Sequence, residues 1–214
     1  MFRELFDPII ADYHAIEPGT VRHGVDPRKA YADPLDDPSN QLKPLDPDGV
    51  VVLSSRIRLA RNLCGYNLPP HMSRREREAV EAEVVRACRA LPWPLRGACL
   101  RLAELDETER ADLERRHLLF HGRDRYMQVA GITADWPLGR GVFLAANCEV
   151  MVWVNEEDHL RVIALCSGGN LARTHDLVRA AMQSLERVLW FSWSDRLGYI
   201  TNCPTNLGTG SAPA

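Results

Sequence analysis

The chain has 214 residues, of which 45% are hydrophobic, and a formal charge of −3. That is enough apolar material for one sizeable core, and the charge balance excludes a polyanion drawn in by bulk positive charge, so no nucleic acid partner is expected. No apolar run reaches membrane-spanning length and no signal peptide opens the chain, so no membrane association is expected either.

Residues 1–48 hold seven of the 14 prolines together with many aspartates. Their periodicity is weak, which predicts an extended arm lying over a main body formed by residues 49–214. Gly49–Leu53 is β-rich and predicts a buried strand that delivers Ser54, Ser55 and Arg56 at its end. Ser73 with Glu76 forms a capping box, and Val80, Val84, Ala87, Cys88 and Leu91 supply one face of a helix over 74–91. Asp106 with Glu109 opens a second helix running to about Phe120. Residues 142–154 read as two strand segments about a turn near Ala146 and Asn147, and 160–166 as the next strand. The stretch between them, Asn155-Glu156-Glu157-Asp158-His159, becomes the acidic tip of a hairpin. Asn170 caps a helix over 171–190, and a last strand covers about 198–203. Hairpins interleaved with long helices predict an α+β fold, an antiparallel β-sheet flanked by α-helices.

The six cysteines contain no CxxC pair and read as reduced thiols of a cytoplasmic protein. No GxxxxGK[ST] loop exists, and the protein-kinase HRD and DFG signatures are missing. Phosphate, if handled, must therefore be handled by arginine, which makes up all the basic residues except Lys29 and Lys43; its guanidinium is a fixed fork for phosphate oxygens. Arg56 and Arg58 lie two apart, so on a strand they face one side and can converge on one anion, or they are surface charges of an edge strand. Arg161 either joins them or pairs with Glu156 or Asp158. The carboxylates Glu156, Glu157 and Asp158 suit recognition of a cation, or form a solvated turn. Cys203 sits in a polar turn beside Pro204 and Thr205, where donors would favour a thiolate, or it is an inert half-buried thiol.

Taken in order, these segments resemble the phosphagen kinases, the creatine kinase and arginine kinase family. The resemblance rests on Leu5-Phe6-Asp7-Pro8-Ile9-Ile10 with His14, Ser54-Ser55-Arg56-Ile57-Arg58, Leu68-Pro69-Pro70-His71, Asp135-Trp136-Pro137 with Gly139-Arg140-Gly141, Asn155 to Arg161, and Cys203 to Gly210. It implies a guanido kinase catalytic domain that transfers the γ-phosphoryl group of ATP to a guanidino substrate such as creatine or arginine. Mg2+ would be held mainly through the ATP phosphates and water. It also implies that Arg56, Arg58 and Arg161 bind ATP phosphates within a segment that includes Ser54, Ser55 and Ile57. Glu157 would be the catalytic carboxylate on the guanidinium, Cys203 the reactive cysteine near the substrate and Thr205 its hydroxyl neighbour.

Family members carry a helical domain, with a substrate-specificity loop, ahead of the Phe6-Asp7-Pro8 block, and they continue well beyond Gly210. The chain is accordingly expected to be a truncated member with impaired activity. Ala212 stands where the family has a further arginine, and Leu144 where it has a histidine. The alternatives are a bacterial type of protein-arginine kinase, and a non-catalytic paralogue that pairs with another subunit. A homo-oligomer is compatible with either.

Overall fold

The computed structural model describes residues 3–15 and 46–211. Helix α1 (Arg3–Tyr13) is followed by strand β1 (Ser54–Arg61), helix α2 (Arg74–Arg89), β2 (Gly97–Arg101), α3 (Glu107–Arg115), the short α4 (Arg125–Val129), β3 (Gly141–Ala145), β4 (Val150–Val154), β5 (Leu160–Ser167), α5 (Leu171–Glu186), and the two-residue strands β6 (Trp193–Ser194) and β7 (Gly198–Tyr199). Strands β1 to β5 form one antiparallel sheet in the order β1-β5-β4-β3-β2, and β6 pairs with β7 alone. The predicted α+β class with an antiparallel sheet is what the structure has.

Strand alternation divides the sheet into two faces. One presents Ile57, Leu59, Phe143, Val150, Val152, Val162 and Ala164 to α2 and α5, which answer with Val80, Val84, Cys88, Val178, Met182 and Leu185 in the main core. The capping boxes do what their spacing predicts. Ser73 Oγ accepts from the Glu76 N–H and the Glu76 carboxylate accepts from the Ser73 N–H, which holds that carboxyl at about 2. Asn170 caps α5 by accepting from the Arg173 N–H. The second face carries Val142, Met151, Trp153 and Ile163, covered by Leu102, Leu113, Leu118, Leu119 and Phe120.

Four sequence expectations need correction. The strand expected at Gly49–Leu53 starts only at Ser54. The Asp46 carboxylate accepts the Val51 and Val52 N–H groups at 2.7 Å each, so these amides turn away from any ladder and leave Val51 and Leu53 exposed. The second helix stops at Arg115 because Leu118, Leu119 and Phe120 all bury together, which a helical path cannot do for three consecutive side chains; His117 takes φ +58° to make the turn. The last strand shrinks to Gly198–Tyr199; beyond it the Ile200 N–H donates to the Ser192 carbonyl, and Asn62 and Asp158 hold the Ile200 carbonyl and the Asn202 N–H. The N-terminal stretch opens with helix α1 rather than extended chain. Its docked set, Asp7, Ile10, Ala11 and His14, is masked in the sequence by Pro8 and by apolar Leu5, Ile9 and Tyr13 on the outer side. The rest of the predicted arm, 16–45, and Ala212 lie outside the described residues. Strand β2 had no sequence signal. Gly97 fits there because a Cβ would sit 1.9 Å from the Leu144 carbonyl oxygen.

No helix among the described residues is long and apolar enough to cross a membrane.

Candidate active site

The β4–β5 hairpin is closed by Asn155–His159, whose ends are pinned from several directions. Asn155 has φ +54°, and its Nδ2 donates to the Arg77 and Gly139 carbonyls at 2.9 and 2.7 Å. Arg140, fully buried, donates to the Asn155 carbonyl at 3.0 Å and to those of Leu138, Ile132 and Ala134. Its guanidinium faces carbonyls and the Trp136 ring rather than a ligand, and burial pulls its pKa down to about 9. Arg140 is therefore a strut beneath the tip.

At the other end His159 accepts the Leu63 N–H on Nδ1 at 3.0 Å. A backbone amide only donates, so Nε2 carries the ring proton and donates to the Asn67 carbonyl at 2.9 Å. Burial lowers this imidazole to about 4 and keeps it neutral. Asp158 is buried as well. Its Oδ1 accepts from Asn62 Nδ2 at 2.6 Å and from the Asn202 N–H at 2.7 Å, while burial pushes its carboxyl up to about 6.

The three carboxylates thus have three different surroundings, and the tip is not a solvated acidic turn. Asp158 turns inward as a clamp. Glu156 and Glu157 turn to the second face of the sheet and meet Arg161 at 2.9 and 2.8 Å. Burial raises the Glu156 pKa against the opposing pull of Arg161. Arg161 shares that face with Arg56 and Arg58, because antiparallel partners point the same way and Arg56, Arg58 and Ala60 stand opposite Leu165, Ile163 and Arg161.

Arg56 lies over the Trp153 ring at 5.3 Å, and Trp153 is itself fixed by donating to the Leu118 carbonyl. The Arg56 guanidinium is half-buried. Its Nε and Nη2 have no hydrogen-bond partner, and desolvation, then Arg58 and Arg161, lower its pKa. An unpartnered guanidinium beside two like charges is costly, and the cost is relieved by an anion.

Not all of the predicted phosphate-binding segment faces this site. Ser54, Arg56 and Arg58 share its side of β1. Ser55 and Ile57 point to the helices by the same alternation: Ser55 Oγ hydrogen-bonds Thr174 Oγ1 on α5 at 2.7 Å, and Ile57 packs on the main core. Leu144 lies on the site's face but within its apolar half.

Cys203 enters one residue beyond the Asn202 amide that binds Asp158, so the two turns are joined. Its Sγ lies 2.9 Å from Thr205 Oγ1, as the sequence suggested. No sequence pattern pointed to Asn62, which donates to Asp158 and to the Ile200 carbonyl and accepts from the His159 N–H. Its partners lie 96 to 138 residues downstream, beyond any local spacing rule. No group of three or more metal-ligating side chains exists among the described residues, and an ion carried by triphosphate oxygens needs none.

A family model described as ATP:guanido phosphotransferase, C-terminal catalytic domain, matches residues 79–212. That span includes Glu156, Glu157, Arg161, Cys203 and Thr205, while Arg56 and Arg58 precede it. An arginine kinase from Procambarus clarkii is 38% identical over 209 residues, covering 98% of this chain and 56% of the relative. A taurocyamine kinase from Schistosoma mansoni is 36% identical over 97% of this chain and 27% of the relative. Among solved structures, the substrate-free duplicated taurocyamine kinase from Schistosoma mansoni superimposes with a TM-score of 0.90 at 36% identity, covering 98% of this chain and 29% of that one. Lombricine kinase gives 0.81 at 31% identity, over 98% and 57%. The chain therefore spans about half the length of the arginine kinases it matches.

Proposed function

The chain belongs to the ATP:guanido phosphotransferase family, and on that premise we propose that it transfers the γ-phosphoryl group of ATP to a guanidino nitrogen, with arginine ahead of creatine as acceptor. The observation that carries the reading is the Arg56–Arg58–Arg161 cluster set against Glu156 and Glu157 on one sheet face. ATP, as its magnesium complex, supplies the phosphoryl group, and its triphosphate suits three convergent guanidinium groups, one of which has unsatisfied donors.

The Arg161–Glu157 contact is a guide to the acceptor end. Glu157 already holds one guanidinium nitrogen at 2.8 Å, and a substrate guanidinium asks for the same bond. Its pKa lies above ~12, so the attacking nitrogen keeps its proton until a positioned carboxylate removes it. Glu157 is the more exposed of the pair and takes that role. Glu156, buried against Arg161, keeps the arginine aligned. Arginines around the moving phosphoryl group spread its charge, and the sheet that carries both sets holds donor and acceptor in line. The choice of arginine over creatine is supported by the arginine kinases among the relatives at 37–38% identity.

The test is phosphoryl transfer by the full chain with MgATP and, separately, arginine, creatine, taurocyamine or an unfolded arginine-rich protein, followed by phosphorus NMR. Transfer to arginine, reduced by about 10²–10⁴-fold in Glu157→Gln, is the expected result. Transfer only to protein arginine would replace the small acceptor with a protein, and no transfer to any acceptor would remove the proposal. Light scattering on the same sample reads the oligomeric state.

A further inference from the structure

The turn that carries Cys203 is held from two sides. On the inner side the Asn202 N–H donates to Asp158, and Asn62 Nδ2 donates to the Ile200 carbonyl at 3.0 Å. On the outer side stands α1, some 190 residues earlier in the chain. His14, just past the end of α1, places Nε2 3.1 Å from the Pro204 carbonyl oxygen. A carbonyl only accepts, so Nε2 is the donor in either charge state of the ring. Near the start of the helix Asp7 Oδ2 pairs with Arg196 Nη1 at 2.9 Å. Beside these two tethers a cleft opens between α1 and the turn. Phe6 and Ile10 face Leu197, Ile200, Pro204 and Leu207 across a cavity of about 300 Å³. Ile10 and Ala11 pack beneath the helix, the cleft beside them leaves the turn room to shift, and the polar tethers oppose that shift.

We propose that His14, assisted by the Asp7–Arg196 pair, is a positioning residue for the Cys203–Thr205 end of the acceptor site. Cys203 and Thr205 flank the carbonyl that His14 holds. A shift of Pro204 moves Sγ and Oγ1 relative to Glu157, whose own turn is joined to this one through Asn202 and Asn62 but is held besides by Arg140 and His159. Helix α1 thus sets the guanidino-binding end of the site without touching it. Arg56 and Arg58 lie on β1 and do not share these tethers. This rests on the phosphotransfer reading for its kinetic consequence, but not for its structural one.

Two measurements on the full chain separate the two. The first is the rate at which iodoacetamide alkylates Cys203, followed by peptide mass spectrometry. His14→Ala is expected to raise that rate about threefold or more, by freeing the turn. His14→Gln, which keeps a donor near the Nε2 position, is expected to restore it, and Asp7→Asn to give a smaller rise. The second is kinetic: His14→Ala should raise KM for the guanidino acceptor about tenfold while leaving KM for MgATP within twofold. Equal alkylation in wild type and His14→Ala, or no rescue by His14→Gln, overturns the proposal, as does a parallel rise in both KM values. Altered alkylation in a chain that transfers no phosphoryl group upholds the tether and removes only the phosphotransfer reading.

Discussion

Two halves of one sheet face obey the same alternation and end in opposite chemistry. One row of side chains runs Leu100, Val142, Trp153, Arg161; the next runs Ala98, Leu144, Met151, Ile163, Arg58. Over β2, β3 and β4 the face is apolar and covered by residues 102–120. Over β5 and β1 it turns cationic. The cover fastens to the border through the Trp153–Leu118 hydrogen bond, and Arg56 begins where the cover ends. The apolar half anchors the sheet, and in the cationic half Glu156 and Glu157 pair Arg161 while Arg56 keeps unpartnered donors suited to an anion.

This division predicts that substitutions in the two halves separate activity from stability. The largest effect is expected at Arg56→Met. Loss of one preorganised cation should lower kcat/KM by about 10²–10³-fold. The same change removes a half-desolvated guanidinium with unpartnered donors beside two like charges, so unfolding in urea should show a gain of about 1 kcal/mol in stability. A loss of stability would mean that Arg56 is paired in solution and that the cationic half is not poised for an anion.

The next largest belongs to the apolar half. Met151 is fully buried, one strand beyond Ile163 in the row that ends at Arg58. Met151→Ala should cost about 2–5 kcal/mol in the same urea experiment. The remaining folded molecules should keep their KM for MgATP within about twofold. A Met151→Ala protein that stays stable but loses nucleotide affinity would show that the two halves are one coupled unit.

How much of this the sequence disclosed depends on the range of the interaction. The capping boxes at Ser73 and Asp106, the hairpin around Glu157 and the Cys203–Thr205 pairing are local patterns, and each was legible. Alternation also placed Arg56 and Arg58 together, and it should have turned Ser55 and Ile57 away. The resemblance named a segment, and a segment does not distinguish the faces of a strand. Helix α1 was obscured because apolar residues occupy both of its sides. The anchors of the hairpin tip were out of reach altogether, since Asn62 meets Asp158 and His159 across about 100 residues and Arg140 works through carbonyls that carry no residue identity.

The smallest expected effect lies where the two halves meet, at the tip, and is a change of slope with pH. His159 is neutral in the fold, where burial brings its pKa to about 4 from an ordinary value of 6.5. Between those values the unfolded chain binds the extra proton, so its contribution to stability is lost as pH falls from 6.5 toward 4. Asp158 has the opposite sign. Burial raises its folded pKa to about 6 from an ordinary value of 3.8, so in that window the native state binds the extra proton and stability falls as pH rises. The neighbours offset each other, and wild type should show little pH dependence from the tip between about 4 and 6. Asp158→Asn keeps an oxygen to accept from Asn62 and the Asn202 amide, and it leaves His159 alone. Its stability relative to wild type should drop by about 2 kcal/mol on acidification across that window. His159→Gln removes the ring, and its relative stability should tilt the other way by a similar amount. Urea midpoints measured at half-unit pH steps read both slopes. Two variants that tilt in the same direction would mean that one of the two groups is ionised differently in the fold, and the inward clamp that frees Glu157 to face the arginines would need another explanation.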